Sequence, residues 1–416
     1  MFQNMVTSIA DAGRELLYGG RKPLLLQNTT TMLELCTSLL GQKGEALGTA
    51  LAREVLDRYQ QFADEDKEYF FQTLKTKFDT DPEKLQAAIQ TYLAETTAEN
   101  RLGLERVIET PRQKLIRALN MAPDGTVALV QMRKDLQVFL KEDPSLKIVD
   151  ADFVHLFMSW FNRGFLHLEQ ISWETPAAVL EKLIAYEAVH AISGWDDLRR
   201  RLEADRRCYA FFHPALPGDP LIFVEVALTK GLASSVQTLL QDDAEGAIER
   251  RNQADTAIFY SISNCQDGLK GISFGNFLIK QVAAELQAEL PHLKTFSTLS
   301  PVPGFNSWRR GQGMEIDPAE DVDDADHKKV MQLCAQYLCK EKRRDLPLDP
   351  VARFHLGNGA RLERINWMGD TSDRGLAQSS GIMVNYLYDL RSIEANHEAL
   401  WREGKVVMSR EVKGYL

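Results

Sequence analysis

The stretch "TAIFYSISNCQDGLKGISFGNFLIKQVAAELQAELPHLKTFSTLS", residues 256–300, holds the order of elements that decides the fold. "TAIFYSIS" (256–263) and "KTFSTLS" (294–300) are short and rich in aromatic and β-branched residues, as strands are. Between them Phe274, Phe277, Leu278, Val282, Leu286 and Leu290 recur on one helical face. Gly268, Gly271 and Gly275 occupy the loop that leads from the first strand into that helix. Strand, glycine loop, helix, strand is a crossover unit within one sheet. Two further strands precede it, "CYAFFHP" (208–214) and "PLIFVEVALT" (220–229), so this part of the chain is predicted to be mixed α/β.

Upstream the pattern changes. "TTTMLELCTSLLGQ" (29–42), "EALGTALAREVLDRYQQFA" (45–63), "DPEKLQAAIQTYLAE" (81–95) and "GTVALVQMRKDLQVFLKED" (125–143) place apolar residues at helical spacing. Asp81-Pro82 and Thr110-Pro111 are helix starts, with proline suited to the first turn. "HLFMSWFNRGFLHLEQISW" (155–173) reads as helix and then connection, and "TPAAVLEKLIAYEAV" (175–189) and "SGWDDLRRRLE" (193–203) as helices. The expectation is a helical bundle over residues 1–160, followed by an α/β domain over 161–416.

The 416 residues carry a net charge of −10, which disfavours bulk attraction to nucleic acid or an anionic membrane. The longest apolar runs fall short of the roughly 18–20 residues a membrane span needs. Five cysteines without a C-x-x-C pair argue against a disulfide framework and a zinc site, and fit reduced thiols in the cytoplasm. "DPAEDVDDAD" (317–326) reads as a solvated acidic loop.

Three places could carry chemistry. The glycine loop, with a helix following it, suits an anion such as a pyrophosphate, although a tight glycine connection accounts for the spacing as well. Ser300 ends its strand and is followed by Pro301, Val302, Pro303 and Gly304, a stiff setting for one hydroxyl; serine at a strand end is also a common turn residue. His355, in "DPVARFHLGNGA" (349–360), ends a proline-started helix beside a glycine turn. In "RLERINWMGDTSDRGLAQSSGIMVNYLYDL" (361–390), Asn366, Asp370, Ser372, Arg374 and Asn385 sit amid apolar residues and predict a buried polar network.

The stretches 186–229, 257–305 and 349–390 resemble the malonyl-CoA decarboxylase family. The resemblance implies a helical N-terminal domain with a role in homo-oligomerisation and a catalytic domain like that of GNAT-type acyltransferases. It implies decarboxylation of malonyl-CoA to acetyl-CoA without metal or organic cofactor. It places the catalytic pair at Ser300 and His355 and further substrate contacts at Ser261 and Tyr388. The loop residues Gly268, Leu269, Lys270, Gly271, Ser273, Gly275 and Asn276 would hold the coenzyme A pyrophosphate. Some relatives carry glutamate where this chain has Ser273, so that acid is dispensable here or is replaced by Asp267 or Asp370. Arg309, Arg310, Lys280 and Lys270 are candidates for the 3′-phosphate. An acyltransferase using an amine acceptor and a non-catalytic malonyl-CoA sensor are the competing readings.

Overall fold

The computed structural model describes residues 31–416 except 188, 242–244, 273–277 and 315–323. The chain divides into two units: Met1–Leu166 with His213–Pro217 and Gln266–Phe274, and the remainder.

The described part of the first unit is helical. Its helices are α1 (Met32–Gly41), α2 (Glu45–Gln60), α3 (Asp64–Lys77), α4 (Pro82–Ala94), α5 (Ala98–Ile108), α6 (Pro111–Leu119), α7 (Gly125–Phe139) and α8 (Lys147–Trp160). Their starts follow from sequence chemistry. Thr31 and Glu34 form a capping box on α1, and Asp81 and Thr110 cap α4 and α6 with proline at the first turn. Leu51, Phe71, Leu115, Leu129 and Phe153 are fully buried in the core of the bundle. Helices α4 and α5 are different, because neither contains a buried residue.

The second unit is built on a sheet of β1 (His167–Ile171), β2 (Arg206–Phe212), β3 (Ile222–Thr229), β4 (Thr256–Asn264), β5 (Thr295–Thr298), β6 (Ser300–Pro301), β9 (Arg361–Asn366) and β10 (Met383–Leu387). A separate two-stranded sheet pairs β7 (Lys342–Arg343) with β8 (Leu346–Pro347). The main order is β1-β2-β3-β4-β5-β10-β6, with β9 also on β10. β1 to β4 run antiparallel, β4 and β5 are parallel, and β10 is antiparallel to β5, β6 and β9. The expected crossover is present: helix Leu278–Glu289 lies between β4 and β5 and buries Leu278, Ile279, Val282 and Leu286. An antiparallel meander feeds one parallel pair, so the second unit has the mixed α/β sheet that was expected.

Besides the short β7–β8 pair, two strand regions were not foreseen. Residues 167–171 form an edge strand on β2 instead of a connection; "HLEQI" is polar enough to hide its pairing. β9 and β10 arise in the polar 361–390 stretch, where Asn385 is fully buried within β10 and interrupts the apolar signal. Among the described residues, no helix is long and apolar enough to cross a membrane.

Candidate active site

The pairing of β4 with β5 runs from Thr256 and Thr295 to Phe259 and Thr298, then stops. β4 continues to Asn264, while the other strand breaks at Leu299 and Ser300 pairs with Val384 of β10. A cavity of about 280 Å³ opens where the two part. Its walls are mostly apolar, including Val224, Ile262, Ile279 and Phe354, and Ser300 and His355 are on the lining.

Ser300 and Thr298 are two residues apart, so their side chains share one face while Leu299 turns into the core. Ser300 Oγ donates to Thr298 Oγ1 at 2.9 Å and lies 3.1 Å from His355 Nε2. His355 Nδ1 lies 2.9 Å from Tyr388 Oη. The Tyr386 ring stacks on the imidazole at 4.7 Å and 23°. Three buried side chains, Ser300, Tyr386 and Tyr388, from two stretches of chain thus hold one histidine in a single plane.

The histidine is carried by the helix Pro350–Gly357, whose start is fixed by Asp349. One oxygen of this buried carboxylate accepts from the N–H groups of Val351 and Ala352, both at 2.9 Å. The other accepts from Tyr337 Oη at 3.4 Å. The Gly304 N–H also stabilises the carboxylate, although burial, the larger influence, raises its pKa. A side chain at Gly304 would run into the Tyr337 hydroxyl. The turn that ends the Ser300 segment is therefore held to the first turn of the His355 helix. The stiff turn after Ser300 thus also anchors the helix that carries His355.

Burial depresses the His355 pKa from 6.5 to about 3, so the imidazole is neutral at physiological pH. An unfolded imidazole protonates near pH 6.5, whereas the folded one waits until about 3. Acid between these values favours the unfolded chain, and the contribution to stability is complete above pH 6.5. Accordingly kcat/KM is expected to show no inflection near pH 6.5 from this group. A pH–rate profile with a limb there that vanishes in His355→Asn would contradict the neutral assignment.

Ser261 is not on the cavity lining. Its hydroxyl is buried on Glu187, 2.9 and 2.8 Å from the two carboxylate oxygens. Regular alternation from Phe259 would turn Ser261 toward the cavity. The register shift opposite Glu225 and Val226 makes Tyr260 an extra residue, so Ile262 and Asn264 face the cavity and Ser261 turns away. Glu187 also accepts from the N–H groups of Val189 and His190 at 2.6 and 2.7 Å, and Val189 lines the cavity. Ser261 is thus tied to the cavity wall through that loop. Tyr388 likewise is off the lining and reaches His355 from behind.

The described part of the glycine loop belongs to the first unit. Arg133 donates to the carbonyls of Gly268 and Lys270 at 2.7 and 2.9 Å, and a side chain at Gly268 would run into the carbonyl of Val130. Packing on α7 thus demands that glycine. Leu269 is buried, whereas Lys270 and Gly271 are exposed. Ser273, Gly275 and Asn276 lie outside the described residues. Asp267 pairs with Lys270 and Lys134, and the Lys270 hydrogen bond holds its carboxyl below the usual range. Asp370 accepts from Gln237 and the Ser372 N–H. The expected buried polar network is present only in part: Asn385 bonds Asn366, Arg364 and the Thr298 carbonyl, whereas Ser372 and Arg374 are exposed, because the short helix they open lies at the surface. Arg309 is buried over the Phe305 ring, leaving Arg310 exposed beside it.

Thr298, Glu187, Asp349 and Tyr386 were not singled out from the sequence as site residues. The Asp-Pro helix start was the one legible signal among them.

The chain matches the model of the malonyl-CoA decarboxylase C-terminal domain over residues 164–326 and 313–416, and that of the N-terminal domain over 78–161. It is 39% identical over 351 residues to the mitochondrial malonyl-CoA decarboxylase of Anser anser anser, covering 74% of this chain and 70% of that protein. The corresponding Rattus norvegicus enzyme is 38% identical over 343 residues, 72% of this chain and 69% of that protein. The crystal structure of malonyl-CoA decarboxylase from Rhodopseudomonas palustris superposes with a TM-score of 0.87 at 49% identity, covering 92% of this chain and 98% of that one. The Agrobacterium vitis enzyme gives 0.85 at 48% identity, with coverage of 92% and 99%.

Proposed function

The chain belongs to the malonyl-CoA decarboxylase family and converts malonyl-CoA to acetyl-CoA and CO2, and we propose that it does so in the cavity where Ser300 meets His355. The observation that carries this assignment is the 3.1 Å contact between the two side chains, 55 residues apart in sequence, at the polar end of an apolar cavity.

Loss of CO2 sends the C–C electron pair into the thioester carbonyl and leaves an enolate. The thioester is its own electron sink, so the proposed reaction requires neither a metal nor an organic cofactor. Ser300 holds the substrate oxygen on which negative charge gathers, and such a donor is worth more in a dry cavity than in water. The neutral His355 gives its Nε2 proton to the α-carbon while Tyr388 gives its hydroxyl proton to Nδ1, and solvent restores the tyrosine, so each turnover consumes one proton. Tyr388 and Tyr386 keep the imidazole in line. The glycine loop remains our proposal for the pyrophosphate, with Lys270 as the exposed cation within it.

His355→Asn tests the pair. Steady-state assay of CO2 release is expected to show kcat lowered by roughly 100-fold, the lower range for a lost general acid. Coenzyme A affinity is expected to persist. Wild-type turnover by this variant would remove His355 from the chemistry.

We further infer a cytoplasmic homo-oligomer. All five cysteines are free and four of them are buried, as suits a reducing compartment. Helices α4 and α5 expose Leu93, Leu102 and Ile108, and a pairing of these arms between copies would cover them. Sedimentation of the purified chain tests the assembly.

A further inference from the structure

We propose that Thr298 is a positioning residue that fixes which nitrogen of His355 carries the proton. The proposal rests on the Ser300–His355 assignment and extends it. Ser300 has one hydroxyl proton and two neighbours that could receive it, Thr298 Oγ1 at 2.9 Å and His355 Nε2 at 3.1 Å. The geometry makes Ser300 the donor to Thr298. With that proton committed, the remaining contact is a bond only if Nε2–H donates to Ser300 Oγ. A neutral imidazole protonated on Nε2 has a bare Nδ1, which then accepts from the Tyr388 hydroxyl at 2.9 Å. The four groups form one directed chain, Tyr388 to His355 to Ser300 to Thr298.

Thr298 is suited to be the fixed end of that chain. It is fully buried, its Oγ1 also takes the Tyr386 N–H at 3.2 Å, and its carbonyl takes Asn385 at 2.7 Å. The result keeps the transferable proton on Nε2, the nitrogen beside the cavity residue Ser300. A substrate oxygen gathering negative charge is a stronger acceptor than a threonine hydroxyl. It can therefore draw the Ser300 proton away from Thr298 while Nε2–H stays available for carbon. Without Thr298 the Ser300 proton would turn to Nε2, and the imidazole proton would move to Nδ1, where it faces Tyr388 and not the substrate.

The test combines ¹⁵N NMR of histidine-labelled full-length chain with kinetics on malonyl-CoA. In the wild type the His355 signals are expected to show protonated Nε2. Thr298→Val, which keeps the shape and removes the acceptor, is expected to shift them toward the Nδ1–H form and to lower kcat about ten-fold or more at unchanged KM. Thr298→Ser, which keeps the acceptor, is expected to recover most of the loss. A wild-type spectrum with protonated Nδ1 would overturn the proposal even if the valine variant did not fold. So would wild-type kcat in Thr298→Val while Ser300→Ala is impaired. Full turnover by Ser300→Ala would instead overturn the assignment of the pair.

Discussion

Ser300→Ala is expected to reduce kcat for CO2 release from malonyl-CoA by roughly 100-fold, about 3 kcal/mol, the cost of one preorganised donor to developing charge. The hydroxyl is buried and held between Thr298 and His355, so only its proton has to turn as charge builds. The substitution removes one oxygen and leaves the strand intact, because Ser300 pairs with Val384 through its backbone. Coenzyme A affinity and thermal stability should therefore stay near wild type. Equilibrium binding of coenzyme A, measured beside turnover, separates this outcome from a folding defect. Comparable kcat in the variant would sink a role for the hydroxyl.

The second large effect is expected at Asp349, which touches no reacting atom. Asp349→Ala removes the cap of the His355 helix, worth about 1 kcal/mol, and leaves buried N–H groups unpaired at roughly 1–3 kcal/mol each. A fall of about 3 kcal/mol in unfolding free energy is expected, with kcat falling as His355 drifts from Ser300. Asp349→Asn distinguishes the two jobs of this carboxylate. Its amide oxygen can still accept from Val351 and Ala352, whereas its NH2 would meet the Gly304 N–H. Stability should then largely return while kcat stays about ten-fold low at unchanged KM. Denaturant titration with steady-state kinetics checks both. An asparagine variant with normal kcat would show that only the helix cap matters.

The placement of Ser261 shows how a strand misleads. Counting by twos from Phe259 aims its hydroxyl at the cavity, and the extra residue at Tyr260 reverses every position after it. Nothing in "AIFYSIS" announces that shift, because a bulge is decided by the partner strand. Gly268 carries a second meaning of another kind. Gly268 reads as a ligand-facing glycine, yet its lack of a side chain is needed for contact with Val130. Both meanings leave the same letter in the sequence.

Periodicity by itself determined the helical first part, the crossover from β4 to β5, and the starts of α4, α6 and the His355 helix, since these depend on neighbours within a few residues. Ser300 and His355 stood out as candidates from their local settings, and the family resemblance added their joint catalytic role. Only the tertiary structure decided that these two touch, that Tyr388 approaches from behind, that Thr298 takes the Ser300 proton and that Asp349 ties the two segments together. Those contacts link residues 2 to 55 positions apart across a strand break and a packed helix. Their distances follow from how the sheet parts after Phe259 and Thr298, which no local pattern of side chains encodes.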